Sequence, residues 1–538
     1  MPGLFFPVIL ILIHCSGGVQ PLSDYEYQGE DFMVVFFAEF NQPSNPDKFN
    51  FLYIHSEKEG TCVIDYKVSR YTSARIKQHE ILHPGRTIRA ALPEVVQESL
   101  HSQITPKGVH VHCTVPVILY TLSRKQGTSN VYHGIPYKSL GRDYLIPGAL
   151  NNALLSAAGV DENTVINVHI KTKCVYTYSN TTVKDGSSFT VTLDKEDVFQ
   201  LSREYVDYFG DQQCDLAGSY LTGNKPFAVF AGASCLFLAN ATTGNGCDQG
   251  VIQVPPPSLW GKDYLVADMA GQTNGYRLRI VASDDNTKTS IHEYDYGSFA
   301  TSRDVHFALN KGDVHTAMYK RNTYLVIENT KPVFILQYLT ADPMTVIVTP
   351  IDRFPTIDAN TSHYIFDTME ANKNGSEEMY VSLIVGTNNT DGVRLDGKPV
   401  AVSWEDVPLL GFSVGHLNIS YGSHLLNSMT PHTPGAVQVY GMSRCLGEAW
   451  GYSAISSCSE HCEDLSTDVG HLFGEAALGF YVNQIFNVVG SDASASQCLG
   501  TCDSLMKTTL TKSICPKICP SFTFYIRKYI YKSPSLAN

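Results

Sequence analysis

Basic character is the first thing this chain lacks. Lys and Arg total 39 against 52 Asp and Glu, a net charge of −13, and no block of basic residues occurs. A phosphate-neutralising surface is therefore not expected, and nucleic acid drops out as a partner. Long apolar runs are also missing. The run at residues 4–13 is too short to cross a bilayer, which takes about 20 residues, so no membrane span is expected. The tail, residues 522–538, carries Arg527, Lys528 and Lys532, so it is no lipid-anchor signal. There is no HExxH, no GxSxG, no phosphate loop and no Rossmann glycine fingerprint. Charged residues are only 17% against 43% hydrophobic, which argues against extended disorder.

What is present points to strands and to an oxidising compartment. Tyr (30) and Phe (25) are abundant beside frequent Gly and Pro, a mix that favours strands and tight turns. Residues 4–13 followed by Cys15-Ser16-Gly17-Gly18 read as a signal peptide, residues 1–18, although no Lys or Arg precedes the apolar core. An extracellular, secreted protein follows. Six sequons fit: Asn180, Asn240, Asn360, Asn374, Asn388 and Asn418. Of fourteen cysteines, thirteen remain once Cys15 leaves with the leader, so one thiol is free or bridges to another chain. The pairs expected are Cys235 with Cys247, across a short polar loop, then Cys174 with Cys214 and Cys62 with Cys113. Spacing alone does not fix connectivity.

Three sub-patterns recur in fixed order. The first is a strand, a turn often ending in Pro, and a second strand, at 109–123, 219–233, 322–339 and, more loosely, 422–443. The second is LGRDYLI at 140–146 and WGKDYLV at 260–266, with a weak copy at 363–366. The third is a polar turn before an alternating strand, at 160–170, 283–291 and 387–395. A period of about 100 to 110 residues allows two four-stranded blades or one small sandwich per repeat. The fold expected is all-β, a propeller-like array over residues 30–444, preferred because no linker separates the repeats; tandem β-sandwiches are the alternative. Residues 49–54 and 62–68 read as paired strands, and 74–102 as one exposed helix or as long strands. Residues 445–538 read as a cysteine-rich module. Cys458 and Cys462, Cys498 and Cys502, and Cys515 and Cys519 share C-x-x-x-C spacing. On helices this puts both sulfurs on one face, so the last two pairs predict a disulfide-stapled helical hairpin. Zinc is the rival, disfavoured because only His461 is near.

The stretch that organises the chain is 219–266. Gly223-Asn224-Lys225-Pro226 separates two apolar runs and reads as hairpin chemistry. The run NKPFAVFAG, then CDQGVIQVPPP, then WGKDYLV resembles the N-terminal domain of the IgG Fc-binding protein family of secreted, mucus-associated proteins. Its departure lies at Gly250 and Ile252, where the family pattern has an apolar residue and an acid. The resemblance covers roughly residues 30 to 445. It implies a non-enzymatic binding or matrix glycoprotein whose partners are extracellular glycoproteins or mucins. It also implies binding of the immunoglobulin Fc region, which the altered segment puts in doubt.

Asp284-Asp285-Asn286 and Asp161-Glu162-Asn163 read as turn caps, since the glycine and terminal Glu of a calcium loop are missing. His110 and His112 share one face of a strand, read as the polar face of an edge strand before a metal pair. Trp260, Trp404 and Trp450 are candidate sugar platforms, with core packing the expectation for Trp260. No catalytic, metal or cofactor residue is assigned. Two rival functions stay open: a glycan-processing enzyme on a propeller, with Asp143 and Asp263 as its paired carboxylates, and a structural or adhesive assembly protein joined through the C-terminal cysteines.

Overall fold

Most described segments that are apolar on alternate positions, or on all positions, form strands, and the difference between those two patterns decides where they sit. The computed structural model describes residues 27–458, apart from 39–48, 69–73, 126–127, 204–213, 237–247, 273–274, 342–344, 351–360, 370–377, 409, 429–434, 444–447 and 455. Among these there is no α-helix, only strands and short 3-10 turns. The signal peptide, Cys247, Asn240, Asn360, Asn374 and the cysteines from Cys462 onward lie outside the described residues.

The strands form four units that share one plan, clearest in the second. Its outer sheet has the order Ser188–Leu193, Thr164–His169, Tyr220–Gly223, Asp143–Leu145. Its inner sheet runs Val198–Leu201, Ala153–Gly159, Phe227–Leu236, Asp248–Gln253. All these pairings are antiparallel. Between the sheets lies a common core that includes Ile166, Val168, Leu221, Leu155, Phe199 and Val229. In the first and third units one long strand, Val109–Lys125 or Thr323–Ala341, belongs to the outer sheet with its first half and to the inner sheet with its second. In the second and fourth units the same passage is broken into two strands, the latter pair being Gly422–Ser428 and Gly435–Ser443.

This corrects the hairpin expected at 223–226. Tyr220–Gly223 and Phe227–Leu236 do not pair with each other; they lie in different sheets. Pro226 has no N–H to offer a ladder, so the chain bends there and changes sheets rather than reversing. Phe49–Ser56 and Gly60–Lys67 are likewise strands of two different sheets, not partners. Within 74–102 the strand alternative holds, as Arg75–Leu82 and Arg86–Leu92.

The expected propeller is not shown as such. Each repeat is a pair of curled sheets of four or five strands around its own core, rather than a single radial blade. The last inner strands of the units, Thr128–His133, Asp248–Gln253, Thr345–Pro350 and Glu448–Ser453, lie side by side, first on second, second on third, third on fourth and fourth on first. The far face of each inner sheet packs on the preceding unit. Leu154, Ala158, Phe230 and Val251 of the second unit thus enter the core of the first, and Phe51, Tyr53, Ile118 and Tyr120 of the first enter that of the fourth.

The helical C-terminal module is not supported. Glu448–Ser453 is the last inner strand of the fourth unit, and Ser456–Cys458 adds an edge to its outer sheet beside Thr361–Thr368. Cys458 therefore ends a strand.

Candidate recognition surface

Most of the motif residues at 248–266 turn inward. Asp248 is wholly buried, yet its carboxylate accepts four hydrogen bonds: Oδ1 from the Thr128 hydroxyl (2.8 Å), Ser129 N–H (2.8 Å) and Gln249 N–H (2.9 Å), and Oδ2 from Ala449 N–H (2.6 Å). One side chain so ties the first, second and fourth units. The Asn130 side chain exchanges two bonds with the Val251 backbone, and Gln253 Oε1 accepts from Ile135 N–H. Trp260 is buried, stacks on Phe334 at 5.4 Å and donates to Pro255 O.

The repeated Gly-x-x-Tyr is a clamp between the first and second sub-patterns. Tyr264 Oη accepts from Gly261 N–H (2.9 Å) and donates to Val333 O (2.6 Å). Tyr144 repeats this with Gly141 N–H (2.9 Å) and Phe227 O (2.8 Å). In both units the accepting carbonyl directly follows the proline where the chain changes sheets. Gly250 and Ile252, the departures from the family pattern, also lie inside: Ile252 is buried, and a Cβ on Gly232 would sit 1.9 Å from Gly250 O. In this chain the two positions therefore present no solvent-facing contact.

The remaining sequence candidates are placed as follows. Cys62 bonds Cys113 directly across two strands (Cα–Cα 4.0 Å), and Cys174 bonds Cys214 (5.2 Å). Cys235 is also disulfide-bonded. Asn180, Asn388 and Asn418 are exposed, Asn180 at the tip of a two-stranded ribbon, Tyr176–Tyr178 with Thr181–Val183. His110 and His112 lie on a central strand rather than an edge, and both meet Asp31 Oδ1, at 3.1 and 2.8 Å. Among the described residues no group of three His, Cys, Asp or Glu is arranged to hold a metal ion. Asp161 and Asp284 serve turns, accepting from Glu162 N–H and the Ser283 hydroxyl, with Asn163 and Asn286 at positive φ. Asp143 and Asp263 are exposed in two separate sheets.

Sequence reasoning did not single out two groups that the fold assembles. Ser382 Oγ lies 2.8 Å from His416 Nδ1, and His416 Nε2 lies 3.5 Å from Asp268 Oδ1. Ser382 is 1% exposed and also meets Tyr440 Oη at 2.8 Å, so this hydroxyl has no open path to a substrate. The set fastens the third unit to the fourth. Burial opposes ionisation of Asp268, but His416 and the Asn322 N–H outweigh it and hold the carboxyl below its ordinary range. The seam between the fourth and first units is similar: hydrogen bonds from His363 and His55 hold Glu57 well below the usual carboxylate range.

The second group faces solvent. On the outer sheet of the second unit, His169 and Tyr220 stand opposite each other and stack, ring centroids 4.1 Å apart and planes at 16°. Ser188 Oγ meets His169 Nδ1 at 2.7 Å, and the Thr190 hydroxyl donates to Asn167 Oδ1. Thr190, Asn167, Thr222 and Asp143 form the next cross-strand row. Tyr220 is 41% exposed. A pre-ordered face of Tyr, His, Asn, Ser and Thr offers a rigid aromatic contact among adaptable hydrogen-bonding groups, the chemistry of protein and glycan recognition. Alternation in VINVHI and SYLTG marks which residues point outward; only strand pairing makes His169 and Tyr220 neighbours.

A family model described as IgGFc binding protein matches residues 131–441. The IgGFc-binding protein of Homo sapiens is 24% identical over 407 residues, 72% of this chain. The chain spans only 7% of that relative's length. Among solved structures, a mutant major pilin from Streptococcus pyogenes aligns over 56% of this chain and 99% of its own at 8% identity, with a TM-score of 0.14 too low to carry an argument. No helix among the described residues is long and apolar enough to cross a membrane.

Proposed function

The chain belongs to the IgGFc-binding protein family, and from that premise we propose that it is a secreted, non-enzymatic binding glycoprotein that engages extracellular glycoproteins through the solvent-facing outer sheets of its units. The observation that carries this reading is the division of labour between the two sheets. Of the residues behind the family likeness, Asp248 joins three units, Trp260 packs in the interior and Tyr264 clamps two strands of the third unit, while the outer sheet of the second unit presents His169, Tyr220, Asn167 and Thr190 in order. The relative's name makes immunoglobulin Fc the first partner to test, with mucins and microbial glycans beside it. Glycosylation at Asn180, Asn388 and Asn418 suits their exposure.

The test is surface binding of the secreted, glycosylated full chain to immobilised Fc, mucins and microbial surface glycans, with Tyr220→Ala as the probe. Saturable binding to one class, weakened about tenfold or more by Tyr220→Ala at unchanged melting temperature, is the expected result. Binding that Tyr220→Ala leaves intact would move the site elsewhere. No binding to any class, with disulfide-linked multimers on a non-reducing gel, would favour a structural role instead.

A further inference from the structure

Three of the outer sheets place an aspartate at the same point, on the edge strand opposite the residue that stands at one fixed distance before Pro116, Pro226 or Pro332. Asp31 faces His112, Asp143 faces Thr222 and Asp263 faces Glu328. In the first unit the carboxylate is taken up by His110 Nε2 and His112 Nδ1, at 3.1 and 2.8 Å. In the third it stands against a second acid. Asp143 alone of the three is set beside a neutral side chain. It is exposed, and its carboxylate has no hydrogen-bond or ion-pair partner among the described residues.

The groups around Asp143 are arranged for a polyol. Thr190, Asn167, Thr222 and Asp143 form one cross-strand row, with His169 and Tyr220 in the next. Alternation turns both rows to water, since Ile166, Val168 and Leu221 take the core side. Strand spacing puts Asn167 and Asp143 about 10 Å apart across Thr222, and Tyr220 about 7 Å from Thr222 along the strand. Thr222 is shorter than the Asn, Asp and Tyr that surround it, so the face dips there. Asn167 Oδ1 accepts from the Thr190 hydroxyl at 2.9 Å, which leaves the Nδ2 hydrogens to donate. The Tyr220 hydroxyl has no partner among the described residues, and the residue is 41% exposed although His169 covers one face of its ring.

We infer that this dip binds a neutral hexose at the end of a glycan, with Asp143 accepting from two sugar hydroxyls, Asn167 Nδ2 donating to a third and Tyr220 lying against the C–H surface. The inference rests on the outer-sheet reading of function and names the part of the glycoprotein that is held. A sugar hydroxyl both donates and accepts, so one ligand answers the acceptor Asp143 and the donor Asn167 together. The ammonium of a basic peptide only donates and answers Asp143 alone. Neither row holds Lys or Arg to balance an acidic sugar, whose carboxylate the unpaired Asp143 repels.

The experiment is ligand-observed saturation-transfer NMR on the full secreted chain. Its probes are the methyl glycosides of galactose, mannose and glucose, each beside the corresponding uronide, and the peptide acetyl-Gly-Lys-Gly-amide. At least one neutral hexoside should saturate in the millimolar range, with its uronide about tenfold weaker or more. Asp143→Asn and Asn167→Asp should each weaken the hexoside about tenfold at unchanged melting temperature. The gap between hexoside and uronide should narrow in Asp143→Asn. No saturation by any hexoside up to about 50 mM, a uronide or the peptide binding as tightly, or a folded Asp143→Asn variant without effect overturns the inference. Glycoprotein binding that needs Tyr220 but survives both Asp143→Asn and enzymatic removal of the partner's glycans overturns this inference alone. Binding indifferent to Tyr220→Ala overturns the outer-sheet reading with it.

Discussion

The inner and outer sheets of the second unit are built from strands of similar length, yet they follow different chemistry. Ala153–Gly159, Phe227–Leu236 and Asp248–Gln253 are buried at every position, because one face meets the outer sheet and the other meets a neighbouring unit. Thr164–His169 and Ser188–Leu193 alternate between buried and open positions, because one face meets water. Burial on both faces requires an unbroken apolar run; burial on one requires alternation. Polar groups obey the same division. Those of the inner strands, such as Asp248, Asn130 and Gln253, are spent on bonds between units, whereas those of the outer strands stay available to a partner. The region that holds the molecule together is thus not the region that can vary its contacts.

Four measurements would break or sharpen this contrast. The largest effect is expected from Asp248→Ala, which strands donors of three units in the interior. It should cost roughly 4 kcal/mol, read as a drop in thermal or urea unfolding. A loss within about 0.5 kcal/mol, typical of surface sites, would mean that the inner strands are not the joint.

Next comes acid. His133 ends the inner strand Thr128–His133, between the rings of Tyr27 and Tyr120, with both ring nitrogens buried although part of the residue reaches the surface. Burial pushes it down to about 3 from an ordinary 6.5. The folded state therefore favours the neutral ring. Its contribution is fully present above the unfolded value and is lost as pH falls from there toward 3. Between pH 7 and pH 4 this amounts to roughly 3 kcal/mol. His133→Phe should flatten that part of the stability profile. An unchanged slope would put the acid sensitivity elsewhere.

The clamps come third. Tyr144→Phe and Tyr264→Phe each remove a hydroxyl that accepts from a glycine N–H and donates to a carbonyl at the bend between sheets. Each should cost about 1.5 kcal/mol by urea unfolding, and the two costs should add, since they act in separate units. Marked non-additivity would show that the second and third units unfold through one joint. Smallest of all, Tyr220→Ala on the outer face should change stability by less than about 0.5 kcal/mol. A larger loss would mean that the His169–Tyr220 stack serves the fold and not a ligand.

Much of this was legible along the chain. The three recurring sub-patterns correspond to real elements: the passage from outer to inner sheet, the edge strand that carries Gly-x-x-Tyr, and the turn leading into the second outer strand. What misled was local likeness. Gly223-Asn224-Lys225-Pro226 has the composition of a hairpin turn, and nothing within four residues reveals that the chain goes on into another sheet. The CD…PP segment entered as a possible binding feature through the family resemblance, whereas Asp248 is matched by donors from residues 128, 129 and 449, far off in sequence.

The sequence by itself therefore determined strand character, the side-chain parity of each strand and the fourfold repetition, because these depend on local sterics and on hydrophobic period, both carried by residues a few positions apart. Only the tertiary structure decided which strands share a sheet, which polar groups are buried against which, and which face is left to water. Those outcomes rest on contacts between residues tens to hundreds of positions apart, and the free energy of a buried carboxylate such as Asp248 is set by neighbours that the chain brings near it only on folding.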